Sequence, residues 1–126
     1  MSTRGRIGML NQDGSVDSIY CHHDSYLRHV GKLLIENYSN ADTIHELLKL
    51  GDTNALSETL EETKHNTYQY NGEDSEDTSS IHSMTESDFL SIGEEYNYIF
   101  KDGKWHVYSY DFSDEEVTPE LIEQDS

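Results

Sequence analysis

The sequence predicts an α+β domain, an antiparallel sheet from two β-hairpins packed against two or three helices. Three observations carry this. Asp13-Gly14 and Asp102-Gly103 each sit between β-compatible runs, a strong short-range hairpin signal. Between them, apolar residues recur at helical spacing from Leu27 to Leu48. The 126 residues suit one domain, spanning 1–126, with a modest core.

The first hairpin is expected over 6–21, RIGML leading in and SVDSIYC leading out. Alternation is imperfect on both arms, which leaves the register open. Asp24 or Ser25 is placed to cap a helix over about 25–38, where Leu27, Val30, Leu34 and Tyr38 share one face. Gly31 inside it costs about 1 kcal/mol relative to Ala, which points to close packing against the hairpin. Ser39 or Asn40 caps a second helix over about 41–50, with Ile44, Leu47 and Leu48 as its stripe and Gly51 as its C-terminal glycine. The short link predicts two helices packed at an angle or antiparallel.

Leu56 and Leu60 mark another turn or two of helix, and Tyr68 and Tyr70 a short strand. Residues 71–83 hold four carboxylates and almost nothing apolar, the composition of a mobile acidic loop. Thr85 ahead of Asp88 imitates a capping box for a short helix carrying Phe89, Leu90 and Ile92 and ended by Gly93. The clearest element is EEYNYIFKDGKWHVYSY. A two-residue Asp-Gly turn pairs Phe100 with Trp105, Tyr98 with Val107 and Tyr96 with Ser109 on a core face. The reverse face carries Ile99, His106, Asn97, Tyr108, Glu95 and Tyr110, half polar and open to solvent or a partner. In the acidic tail 111–126, Pro119 after Thr118 marks a helix start, so the tail is a short acidic helix or disordered.

Cys21, His22, His23 and Asp24 are adjacent, which raises metal binding or cysteine chemistry. A structural zinc needs four ligands, and neighbours on a strand point to opposite faces, so at most Cys21 and His23 share one ion. No second cysteine and no paired spacing complete a set. A nucleophilic thiol needs a base and an electropositive setting, and the surroundings are acidic. The expectation is a buried cysteine at a strand end followed by a helix cap, with no catalytic residue, no metal and no cofactor. A small Cys/His metal-dependent or cysteine hydrolase centred on Cys21 is the alternative. No stretch matches a calcium-binding loop.

The first fifty residues resemble the start of a family of small, mostly uncharacterised proteins of phages and mobile elements. Ile7-Gly8, Asp13-Gly14-Ser15-Val16, Tyr20-Cys21-His22, Asp24, Tyr26 and Val30-Gly31 carry the resemblance. Ser25 and Leu27 stand where its pattern has glycine and proline. An aromatic hairpin near the end is shared. The resemblance implies a phage origin.

Charge is the strongest functional signal. The net charge is −18, and it is uneven. Residues 1–57 hold five basic and seven acidic residues, a net of −2, whereas 58–126 hold three and 19, a net of −16. Such a field repels nucleic acid and anionic lipid and attracts basic protein surfaces. The expectation is an acidic inhibitor that mimics nucleic acid and blocks a host DNA- or RNA-binding defence enzyme of the restriction or CRISPR nuclease type, or else a host polymerase or gyrase. Its partner is a basic nucleic-acid-binding host protein, with no direct contact to nucleic acid or membrane. The candidate contact residues are Glu58, Glu61, Glu62, Glu73, Asp74, Glu76, Asp77, Glu86, Asp88, Glu94, Glu95, Asp111, Asp114, Glu115 and Glu116, with Tyr108 and Tyr110 as aromatic anchors. One cysteine, no apolar leader in STRGRIGML and no long apolar run lead to the expectation of a soluble protein in the host cytoplasm.

Overall fold

The computed structural model describes residues 3–67, 81–91, 94–109 and 114–124. Both predicted hairpins form. The first joins β1 (Gly5–Leu10) to β2 (Ser15–Cys21), pairing Ile7 with Ile19 and Gly8 with Ser18. Gly14 takes φ +90° in its turn, the left-handed conformation that glycine enters without a Cβ clash. The second joins β4 (Tyr96–Lys101) to β5 (Lys104–Ser109) in the expected register, Phe100 to Trp105, Tyr98 to Val107 and Tyr96 to Ser109.

The hairpins meet in a way the sequence did not announce. β1 and β4 pair in parallel, so the sheet is mixed, with only its remaining pairs antiparallel. Two further strands extend it, β3 (His82–Thr85) and β6 (Glu115–Glu116), giving the order β3-β2-β1-β4-β5-β6. β3 corrects the reading of 71–83 as loop throughout, because His82 and Ser83 pair with Ser18 and Asp17. Residues 71–80 of that loop, and Tyr68 and Tyr70, lie outside the described residues.

Helices cover both sheet faces. After β2 comes a π-helical turn (Leu27–Gly31), then α1 (Lys32–Asn37), α2 (Ala41–Lys49) and α3 (Leu60–Lys64). Leu27, Val30, Leu34, Tyr38, Ile44, Leu47, Leu48 and Leu56 join Ile7, Ile19, Tyr98, Trp105 and Val107 in the main core. Asn40 caps α2 by accepting from the Thr43 N–H at 2.8 Å, and Gly51 follows that helix with φ +83°. The cap expected at Asp24 or Ser25 is absent. The first turn starts at Tyr26, in extended conformation and without a side-chain cap. Gly31 makes its close approach to Leu27 and Val117 rather than to the hairpin, since an added Cβ would lie 2.8 Å from Leu27 Cδ2.

The tail is ordered over its described part. Thr118 Oγ1 accepts from the Leu121 N–H at 3.1 Å and caps α5 (Pro119–Gln124), whose Leu121 and Ile122 enter the main core. On the opposite sheet face lies α4 (Glu86–Ser91), capped by Thr85, whose Oγ1 accepts from the Asp88 N–H at 3.1 Å. Phe89 packs there with Val16 and Ile99, all three fully buried. This corrects the reading of the second hairpin's reverse face as open, because Ile99 and Asn97 are buried. Among the described residues no helix is long and apolar enough to cross a membrane.

Phe89 is the main apolar link between α4 and the sheet. Phe89→Ala is expected to lower the unfolding free energy by about 3–5 kcal/mol in urea titration, the range for truncating a buried Phe. Leu90→Ala, on the exposed side of the same helix, should stay within about 0.5 kcal/mol of wild type.

Candidate functional site

The Cys-His-His-Asp corner is held by burial and backbone hydrogen bonds. β2 ends at Cys21, whose side chain is fully buried in the main core. Its thiol lies 3.6 Å from the His23 carbonyl oxygen. The corner then turns through Asp24 at φ +59° and is pinned from several sides. The Ser25 N–H donates to the Thr3 carbonyl, the Ser25 hydroxyl donates to the Cys21 carbonyl at 3.2 Å, and the Tyr98 hydroxyl donates to the Ser25 carbonyl at 2.7 Å. Gly5 admits this approach. A Cβ there would lie 2.6 Å from Ser25 Cβ and 2.8 Å from the Tyr96 carbonyl oxygen. The N–H groups of His22 and His23 donate to the carbonyls of Thr53 and Asn54, so both histidines hold the corner through backbone. The Tyr20 hydroxyl lies 2.8 Å from His22 Nδ1. Burial, then neighbouring His23 and Arg4, lower the His22 pKa. Burial pushes the Cys21 thiol up to about 11, the reverse of what an activated nucleophile needs. Among the described residues no three His, Cys, Asp or Glu side chains cluster as a metal site.

The acidic candidates divide between the two layers. Glu58, Glu61 and Glu62 lie on the main-core side, at and before α3. Glu62 N–H donates to the capping Thr59 Oγ1 and Glu62 Oε1 accepts from that hydroxyl, both at 3.1 Å. Glu61 lies 3.7 Å from His65. Glu58 and Glu62 edge a cleft of about 440 Å³ that Arg28 and Lys32 also line. On the opposite layer Asp88 is exposed on α4.

Glu86, Asp114 and Tyr108 converge on Lys101. Its ammonium lies 3.6 Å from Glu86 and 3.3 Å from Asp114 and donates to the Tyr108 hydroxyl at 3.0 Å. Burial pulls the Lys101 ammonium down, but the hydrogen bonds to Tyr108 and Asp114 outweigh it and leave its pKa raised. Slight burial would raise the Asp114 carboxyl, yet hydrogen bonds from Tyr108 and Lys101 hold it below its ordinary value. This contact is therefore complete above the ordinary aspartate range and is lost only as pH falls through the lower folded value. Asp114 also lies 3.1 Å from His106 Nδ1, although neither ring nitrogen of His106 meets hydrogen-bond geometry.

The remaining described candidates sit near the sheet. Glu95 accepts the Arg4 N–H at 3.1 Å, Glu94 precedes β4 and is half-buried, and Glu116 lies 3.7 Å from Lys104. Glu115 is exposed on β6. Glu73, Asp74, Glu76, Asp77, Tyr110 and Asp111 lie outside the described residues. Sequence reasoning missed Lys101, which draws two of the carboxylates inward, and a polar group around Arg6. Its only signal for Arg6 was a cation at the first position of a predicted strand. Comparison with protein families, curated proteins and solved structures finds no match to the chain.

The buried thiol has a measurable consequence. An unfolded cysteine ionises near 9.0, the folded one near 11, so folding is disfavoured progressively as pH rises between those values. The stability held below pH 9 should therefore decline toward pH 11 by at most about 1.4 kcal/mol per pH unit from this group, and Cys21→Ala should remove that part of the alkaline slope. Iodoacetamide at pH 8 should label Cys21 rapidly in urea and slowly in the folded chain. Rapid labelling of the folded chain contradicts the burial.

Proposed function

We propose that the chain is an acidic phage-type inhibitor. It mimics nucleic acid and blocks a host DNA- or RNA-binding defence enzyme, of the restriction or CRISPR nuclease kind. One observation carries this reading, the net charge of −18 with most of it after residue 57. A small domain needs a net charge of only about 2–8 for solubility. The folded chain supports the reading in two ways. Glu58, Asp88 and Glu115 are exposed, and they stand on both layers and on the sheet edge. A surface negative on opposite sides suits a basic channel that encloses a duplex, whose own charge is spaced at about one per 1.7 Å of axis. Inhibition then proceeds by occupation. Carboxylates meet the lysines and arginines that hold phosphates, and steering by the overall field makes association fast and salt-sensitive. Burial of the Cys21 side chain, which also pushes its thiol pKa up, weighs against the hydrolase alternative.

The test is capture from a bacterial lysate with the tagged chain, with and without competing duplex DNA. A nucleic-acid enzyme released by DNA is the expected result. Capture that ignores DNA moves the contact away from the channel and overturns mimicry. With the target in hand, the triple variant Glu58→Gln, Asp88→Asn, Glu115→Gln should slow association about ten-fold at low salt and leave the melting temperature nearly unchanged. Binding of equal strength at low and high salt would contradict the electrostatic mechanism.

A further inference from the structure

The helical segment after the first hairpin carries a row of charged side chains. Arg28, Lys32 and Glu36 stand four residues apart, so they form one ridge along the π-helical turn and α1. This ridge is one wall of the cleft of about 440 Å³, and the segment that brings Glu58 and Glu62 is the other. Leu33 and Leu56 give the cleft an apolar lining between the charges. Its walls are tied together. His29 Nε2 lies 3.2 Å from the Leu56 carbonyl oxygen. The Tyr38 hydroxyl donates to the Ser57 carbonyl at 2.8 Å and lies 3.3 Å from Thr63 Oγ1, which accepts the Ser57 N–H at 2.9 Å. These contacts form the cleft in the free chain, as in most small-molecule sites.

The cleft is bipolar. Contact between His29 and Leu56 sets one end beside Arg28 and Lys32. Tyr38, just past α1, meets Ser57 and Thr63, which brings Glu62 to the Glu36 end. The π-helical turn supplies Arg28 and His29 to the basic end. Turns of this kind are rare and concentrate at functional sites. Arg28 is also steadied, because its Nη2 donates to the Glu123 carbonyl at 3.3 Å. A guanidinium has five N–H donors, so this bond leaves others for a ligand.

We propose that this cleft binds a small zwitterion, a peptide of two or three residues with free termini. Its carboxylate meets Arg28 and Lys32, its ammonium meets Glu36 and Glu62, and its chain lies over Leu33 and Leu56. Charge selects the class. The net charge of −18 repels a simple anion, whereas a zwitterion carries no net charge and approaches without that penalty. A simple cation is attracted by acidic surface everywhere and is repelled by Arg28 and Lys32 here. Length selects the peptide. Lys32 and Glu36 stand about 6 Å apart along α1 at about 1.5 Å per residue, and Arg28 is a further turn away. A free α-amino acid holds its two charges too close together to reach both ends. An extended chain spans about 3.3–3.6 Å per residue, so two or three residues bridge about 7–11 Å. The site requires no nucleic-acid enzyme and stands or falls separately from the inhibitor reading.

The test is titration of the full chain at pH 7 with trialanine, alanine, N-acetyl-trialanine and trialanine amide, followed by backbone amide shifts in NMR. Trialanine should give saturable shifts concentrated at residues 28–36 and 56–62. Alanine and each blocked peptide should bind about ten-fold more weakly, the loss of one charged contact. Two double variants assign the ends. Arg28→Gln with Lys32→Gln should bind trialanine and its amide equally. Glu36→Gln with Glu62→Gln should bind trialanine and its acetylated form equally. All four side chains are exposed, so both variants should melt close to wild type. A merely structural role would weaken every ligand together and leave the preferences intact. Absence of a saturable shift, alanine or a blocked peptide binding as tightly as trialanine, or variants that keep the wild-type preferences overturns the assignment.

Discussion

The parallel pairing of β1 with β4 is the constraint on which the rest of the structure depends. It joins two local hairpins into one sheet and places both central strands away from the edges. Both central strands are covered on both faces, and their apolar residues gain their burial from that cover. Consecutive residues are therefore buried, Ile7, Gly8 and Met9 on β1 and Asn97, Tyr98 and Ile99 on β4. The helices after β2 supply one cover and α4 the other. Gly8 sets how closely α4 comes, since a Cβ there would lie 3.1 Å from the Phe89 ring. Trp105 and Tyr38 tie the larger layer down. The indole N–H donates to the Tyr38 carbonyl at 2.8 Å, and the Tyr38 hydroxyl donates to the Ser57 carbonyl at 2.8 Å.

With so few cations in the chain, each one decides which carboxylates are paired. Lys101 draws Glu86 and Asp114 toward itself, and Lys104 approaches Glu116. The exposed Lys104 pair is worth little to stability, about 0–1 kcal/mol. The effect of these pairs is on the field, because a paired carboxylate contributes less to long-range attraction than a free one. The acidic surface is consequently graded. Lys101 also bridges α4 to the segment before β6, so a single ammonium links an element of the second layer to the sheet edge.

The corner after β2 places residue types common in catalysis in contacts that hold the fold. Cys21, Ser25 and two histidines meet there, but the thiol is in the core, the serine hydroxyl is taken by a carbonyl, and the histidine N–H groups bind a neighbouring loop. A turn of this tightness needs many backbone partners, and short polar side chains provide them. The Asp24 left-handed conformation fits the same account, since aspartate tolerates it better than bulkier residues do.

The sequence by itself determined the local elements: two Asp-Gly hairpins, the buried stripe Leu27-Val30-Leu34-Tyr38, the Asn40 and Thr118 caps, and the core face Phe100-Trp105-Tyr98-Val107. Each depends on contacts within a few residues, or on turn geometry that dictates register. Tertiary structure alone decided the parallel joining of the hairpins, the pairing of His82–Thr85 at the sheet edge, the cover that α4 lays over Ile99, and the grouping of Arg6, Ser18 and Asn97. These bring together residues up to about ninety positions apart, and no local period records them. The imperfect alternation of the first hairpin was their one trace. A strand buried on both faces has no reason to alternate, and the same two-sided cover leaves Arg6 half-buried.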